Sequence, residues 1–168
     1  MDYQDSYIWK LRQKVGQMTI ITTSVFVVPI RADGRIKLTL KSDFGCWVIP
    51  SGYVELTDSW GDAAVRELEE EVGIVTDKEN LELFATISGS NLILHYDDGN
   101  TRPFGNAYIV RQWSKEHTPN DLEESAQTKW VSLDEARQMN THYSTQLLIN
   151  AYEKYLKTGK IQAIEEEK

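Results

Sequence analysis

Apolar and polar positions alternate along the chain in short runs, separated by turn residues, with a few stretches at helical spacing. Tyr7, Ile8 and Leu11 recur at that spacing and predict a short helix over 6–14. Residues 19–30 are rich in β-branched side chains. The turn Ala32-Asp33-Gly34-Arg35 then leads into Ile36–Leu40, which predicts a hairpin. A short apolar segment, Cys46–Ile49, is interrupted by Pro50-Ser51-Gly52. Residues 58–72 give the clearest helical pattern, with Gly73 as its stop. Residues 81–94 and 104–113 read as strands joined through Asp97-Asp98-Gly99-Asn100, and a polar loop over 114–125 precedes a strand at 128–131. Ser132-Leu133-Asp134-Glu135 is a capping-box pattern opening a short helix. A last amphipathic helix is expected over 143–157, followed by a frayed Glu-rich tail at 164–168. Mixed strands with two or three helices predict an α/β fold, a mixed sheet covered by helices on both faces, in one domain over 1–168.

Composition narrows the function classes. A 40% hydrophobic fraction with 10% aromatics excludes a disordered chain. Eighteen Lys and Arg against 26 Asp and Glu give a net charge of −8. The densest basic segment is Lys10–Arg12–Lys14, so a long nucleic acid is not an expected partner. A small phosphorylated ligand remains compatible, because a divalent metal can bridge acidic side chains to phosphate oxygens. The lone Cys46 excludes a disulfide framework, and His95, His117 and His142 are too scattered for a zinc site. The longest apolar run, Val25–Ile30, contains Pro29 and is too short to span a membrane, so no membrane partner is expected. The first ten residues carry acids and no apolar h-region, which points away from a signal peptide and toward the cytoplasm.

The informative stretch runs from Gly52 to Ile74. On a helix turning about 100° per residue, Glu67, Glu70 and Glu71 share an arc of about 100°. Leu68, Val72 and Val65 form the adjacent apolar stripe, and Glu69 points elsewhere, toward solvent. An ordinary solvated acidic face would carry cations four residues after its acids. Here Glu67 is followed at that spacing by Glu71, and Glu70 by Ile74. Carboxylates crowded in this way suit a hard cation, Mg²⁺ or Mn²⁺, and not zinc.

This segment closely resembles the box of the Nudix hydrolase family, G-x5-E-x7-R-E-U-x-E-E-x-G-U with U apolar. The chain supplies Gly52, then Asp58 in place of the usual Glu, then Arg66, Glu67, Leu68, Glu70, Glu71, Gly73 and Ile74. Cys46–Gly52 resembles the apolar strand and turn that precede the box, and Lys129–Glu135 its late strand-to-helix junction. The resemblance implies an α/β/α sandwich around a mixed sheet. It also implies hydrolysis of the pyrophosphate bond in a nucleoside diphosphate linked to another group: a nucleoside triphosphate, a nucleotide sugar or an ADP-ribose-like substrate. By it, Glu67, Glu70 and Glu71 bind the divalent metal and one of them orients or deprotonates the attacking water. Arg66 holds the acidic loop-helix unit in place, and the Ser51 carbonyl adds a ligand. Asp58, one methylene short, is expected to pair with Arg66 or cap the helix start.

Some relatives add a carboxylate six residues before the late-strand tryptophan. Counting back from Trp130 reaches Glu124, which reads equally as loop surface beside Glu123. Residues 95–104 offer Tyr96 and Phe104 as base-stacking aromatics and Arg102 for phosphate, against the alternative of an exposed hairpin. Trp47 and Trp60 read as packing residues, and Cys46 as a small buried apolar residue. A non-catalytic nucleotide-binding sensor domain is the main alternative function, with an isomerase on the same scaffold behind it. A second copy of the chain as a dimer partner stays open.

Overall fold

The computed structural model describes residues 3–42, 44–119 and 125–166. Helix α1 (Tyr7–Val15) opens where the Ser6 hydroxyl accepts the Trp9 N–H and stops at Gly16. Strands β1 (Ile20–Pro29), β2 (Ile36–Lys41), β3 (Cys46–Val48) and β4 (Ser51–Tyr53) follow. Helix α2 (Trp60–Val72) is capped by Ser59 through a capping box with Asp62, and Gly73 ends it in the left-handed region at φ 68°. Strands β5 (Ile74–Val75), β6 (Leu81–Gly89), β7 (Thr101–Val110), β8 (Lys115–Glu116) and β9 (Ser125–Val131) lead to α3 (Leu133–Gln138). Helix α4 (Tyr143–Thr158) and strand β10 (Gln162–Glu166) close the described chain.

Five strands form a mixed sheet in the order β10-β6-β7-β1-β4; β3-β2-β9 form a second sheet and β5-β8 a third. The β1–β7 and β10–β6 pairs are parallel and the others antiparallel. From Ser24 to Pro29 strand β1 is buried on both faces, which is why the sequence from Val25 onward reads as an apolar run. Val25 and Val27 pack with Ala63, Ala64, Leu68 and Val72 of α2. Phe26 and Val28 turn the other way, into a larger core shared with Leu38, Ile49, Leu148 and Ile149. The α/β architecture with helices on both sides of a mixed sheet is therefore the one expected. Among the described residues no helix is long and apolar enough to cross a membrane.

Three local expectations are corrected. The β1–β2 hairpin exists only at its tip, where Ile30 bridges Ile36; beyond it the two strands enter different sheets. The strand expected over 81–94 ends at Gly89, and Leu94 makes only an isolated bridge to Thr101. The tail does not fray through residue 166, because Gln162–Glu166 pairs in parallel with Ala85–Gly89 and forms the sheet edge. Its alternating half-exposed pattern is that of an edge strand, which a Glu-rich composition hides.

Candidate active site

The site forms where α2 crosses the loop that leaves β4. Gly52 pairs with Val25 of β1, and a Cβ on it would overlap the Glu67 carboxyl group. Glycine is required there by close approach, not by a left-handed backbone. The Ser51 N–H donates to the Glu71 carboxylate at 3.0 Å. Among the described residues no non-glycine has positive φ, so Ser51 replaces glycine without strain.

Arg66 is the hub. One of its terminal nitrogens donates to Glu67 at 2.7 Å and to Glu70 at 3.1 Å. The other donates to the Tyr53 carbonyl and to Asp58, both at 2.9 Å. Asp58 thus reaches Arg66 despite its shorter side chain, and Ser59, not Asp58, caps the helix. Glu71 pairs with Lys41, at the end of β2. Glu69 is half-exposed beside His117, as its helical position predicts.

No cation follows these acids at the four-residue spacing, as the sequence shows, yet the carboxylates do meet protein cations. Arg66 lies four residues before Glu70, the reverse of the order sought, and Lys41 arrives from a different element. Helical spacing cannot show the second. Nor does β2 reveal it: Lys37, Thr39 and Lys41 alternate on one face, a pattern that reads as solvent-facing, yet Lys37 and Thr39 are buried.

Negative charge is still in excess, with Asp58, Glu67, Glu70 and Glu71 facing Arg66 and Lys41. Burial pushes the Glu67 carboxyl up to about 8, aided by Glu71 and opposed by Arg66 and Lys41. Burial works against the Arg66 charge, but Glu67, Asp58 and Glu70 outweigh it and raise its pKa. Among the described residues no group of three acids, imidazoles or thiols is arranged to hold a metal as placed. The donor chemistry nonetheless fits a hard divalent cation: oxygen ligands only, and among the described residues carboxylates outnumber the cations that face them.

Glu67, Glu70 and Glu71 line one wall of a cavity of about 640 Å³, together with Lys41, Ser51 and Gly52. Tyr96 also lines it. Arg102 and Phe104 do not: they alternate with Thr101, which faces the cavity, and so lie on the other face of β7. There the Arg102 Nε donates to the Gly89 carbonyl at 2.8 Å, and its guanidinium covers the Phe104 ring at 5.4 Å. Glu124 and Glu123 lie outside the described residues. Trp47 packs against the larger core, Trp60 is 39% exposed, and Cys46 is buried with its thiol pKa raised by desolvation. Phe44 and His142 also line the cavity and were not singled out in the sequence.

A mixed sheet flanked by helices, with an arginine-braced acidic helix over a glycine turn, defines a class of α/β protein. Residues 21–149 match the NUDIX domain family, and the chain belongs to it. A MutT-like protein of Streptomyces ambofaciens is 35% identical over 69 residues, spanning 41% of this chain and only 45% of that relative. The NUDIX domain of Shewanella oneidensis NrtR, solved with ADP ribose, superposes with a TM-score of 0.65 at 16% identity. That match covers 93% of this chain and 99% of the other. A MutT NUDIX hydrolase from Burkholderia pseudomallei gives 0.60 at 21% identity, covering 78% and 97%. At these identities the two structures speak to the fold.

Proposed function

We propose that the protein is a divalent-metal-dependent pyrophosphohydrolase, cleaving a nucleoside diphosphate linked to another group. The observation that carries this reading is the gathering of Glu67, Glu70 and Glu71 around Gly52 and Arg66 on the wall of a substrate-sized cavity. Glu67, Glu70, Glu71 and the Ser51 carbonyl would hold Mg²⁺, or Mn²⁺. When bound, such a cation neutralises the diphosphate and lowers the pKa of a water. Glu70, the most exposed of the three carboxylates at 26%, is the one best placed to orient or deprotonate that water. Arg66 fixes the acidic helix against the Tyr53 carbonyl and Asp58, which keeps the carboxylates in register with the loop. Glu124 is a further candidate base or ligand by its spacing to Trp130. A buried free Cys46 suits a cytoplasmic setting.

A sensor that binds nucleotides without cleaving them is favoured by one observation, the direct neutralisation of Glu71 by Lys41. Nucleoside triphosphates, dinucleotides and nucleotide sugars assayed with Mg²⁺ separate the two readings. Turnover supports the hydrolase; saturable binding without turnover supports the sensor.

A further inference from the structure

Glu71 is held from two sides by groups of very different freedom. One oxygen of its carboxylate accepts the Ser51 N–H at 3.0 Å, and the other pairs with the Lys41 ammonium. The Glu71 side chain is 4% exposed and stands on the last turn of α2, so it has little room to turn. The Ser51 donor is equally fixed. Ser51 pairs with Phe26 of β1, and the carbonyl of Pro50, just before it, accepts the Val27 N–H at 2.8 Å. Moving the Ser51 N–H means breaking the pairing of β1 with β4.

Of these three groups, Lys41 is the one free to change place. It is the last residue of β2 and follows directly on a register shift between Leu40 and Lys41. Its backbone stays tied, because the Gly45 N–H donates to the Lys41 carbonyl at 2.9 Å. The ammonium itself rides on a flexible four-carbon stem with several staggered rotamers. Lys41 and Ser42 both line the cavity, so a change of rotamer carries the charge into open space. The other basic groups nearby lack this freedom. Lys37 is pinned between the Val72 carbonyl and Glu116 and does not line the cavity. Arg66 is anchored at once by Glu67, Glu70, Asp58 and the Tyr53 carbonyl.

A hard cation bonds a carboxylate oxygen directly, and an ammonium on the same carboxylate then stands against it, like charge against like. Glu71 can therefore serve one of them at a time. With Glu71 and Ser51 fixed, the ammonium is the group that yields.

We propose that Lys41 is a displaceable counter-ion: it gives up Glu71 to a divalent cation, and its ammonium turns into the cavity, where it becomes a binding group for an anion. The cavity then gains this positive charge only when the metal is in place, which orders the two ligands, metal first. By linkage the coupling runs both ways, and an anion that holds Lys41 away from Glu71 tightens metal binding by the same factor. The proposal rests on the metal site of the pyrophosphohydrolase reading, but it concerns Lys41 and is read without turnover.

Two measurements on the full chain test it. The first follows the lysine Cε carbons by NMR in protein carrying ¹³C-labelled lysine, with Lys41 and Lys37 assigned by the signals lost in Lys41→Arg and Lys37→Arg. Mg²⁺ is expected to shift the Lys41 signal and leave that of Lys37 in place. Sulfate, which binds Mg²⁺ only weakly in solution, is expected to shift Lys41 again. A Lys41 signal that Mg²⁺ does not move overturns the proposal, and this result is obtained on the unaltered chain. The second measurement is calorimetry at fixed ionic strength. Lys41→Met is expected to bind Mg²⁺ about tenfold tighter than the wild type. Lys41→Arg, which keeps the charge, and Lys37→Met, which loses one elsewhere on the strand, are expected to stay near the wild type. In saturating Mg²⁺, sulfate is expected to bind the wild type about tenfold tighter than Lys41→Met. Equal Mg²⁺ affinity in the wild type and Lys41→Met, or equal sulfate affinity in Mg²⁺, overturns the displaceable counter-ion and leaves the hydrolase reading standing. Tighter Mg²⁺ binding in Lys41→Met, with no diphosphate hydrolysed by the wild type, does the reverse. No Mg²⁺ binding to any of these proteins overturns both.

Discussion

Lys37 and Lys41 stand on one face of the same strand, and each is held by a glutamate, yet the two ends of β2 have different charge balances. Lys37 donates to the carbonyl of Val72, the last residue of α2, and to Glu116, both at 2.7 Å. It therefore sits at the negative end of the helix dipole. Glu116 also accepts the Trp130 indole N–H at 3.1 Å. Burial acts against ionised Glu116, but the hydrogen bonds from Lys37 and Trp130 win and lower its pKa. Lys37 pairs with Glu116 directly, and the Arg31 charge adds to the stabilisation of Glu116. Lys41 meets Glu71 in a cluster where four carboxylates face two cations. Among the described residues, cations meet the carboxylate at one end of the strand, and carboxylates outnumber cations at the other, where the cavity opens. Crowding carboxylates in a buried site is costly for folding alone, which points to a function for the open end.

The largest expected contrast is in turnover. Glu70→Gln and Glu71→Gln keep side-chain volume but lose charge, and each is expected to lower kcat on the order of 10²-fold or more. Gly52→Ala is expected to join them, because its methyl group overlaps the Glu67 carboxyl. Glu116→Gln, at the closed end, is expected to leave kcat near wild type. Steady-state kinetics at saturating Mg²⁺ on one nucleoside diphosphate substrate checks all four. Comparable losses at Glu116 and Glu71 would erase the distinction between the two ends.

Stability in the presence and absence of metal sharpens the comparison. Lys37→Met removes a charge-assisted hydrogen bond to a helix carbonyl and is expected to cost about 2 kcal/mol, with or without Mg²⁺. Lys41→Met removes the cation beside Glu71, whose side chain is 4% exposed, so in EDTA it is expected to cost about 3 kcal/mol. Mg²⁺ is expected to restore most of that loss by supplying the missing positive charge. Urea melts in EDTA, in Mg²⁺ and in matched monovalent salt distinguish the outcomes. A Lys41→Met loss that Mg²⁺ leaves untouched would make this pair as structural as Lys37–Glu116.

How far the sequence revealed this depends on whether the signal was local. The acidic helix, its apolar stripe and its Gly73 stop follow from residues within one turn or two of each other, and they stand where spacing places them. The capping box at Ser132 and Glu135 was legible for the same reason. Lys41 was not, because its meaning depends on α2 packing across β2. Phe44 and His142 are 98 residues apart and meet only through the fold. The splitting of β1 and β2 into two sheets was hidden because a good turn sequence specifies only the tip of a hairpin. The edge strand β10 was hidden because its pairing partner, not its composition, makes it a strand.

The finest probe of the open end is the pH dependence of stability contributed by Glu67. Its folded-state pKa is raised from the ordinary 4.5 to about 8, so the folded protein binds a proton more tightly than the unfolded chain does. The sign follows: the contribution is fully present below the unfolded value and is lost as pH rises through about 8. In EDTA the wild type should therefore melt close to Glu67→Gln, a mimic of the protonated form, at about pH 5, and clearly below it at about pH 9. A divalent cation needs the ionised carboxylate, so added Mg²⁺ should compete with that proton and stabilise more strongly as pH rises over the same window. Other groups titrate too, but the difference between wild type and Glu67→Gln removes those that the two proteins share. Thermal melts of both proteins across this range, with EDTA and with Mg²⁺, give the four curves needed. If the wild type and Glu67→Gln run parallel in EDTA, Arg66 already holds Glu67 ionised, and the open end of β2 is as balanced as the closed one.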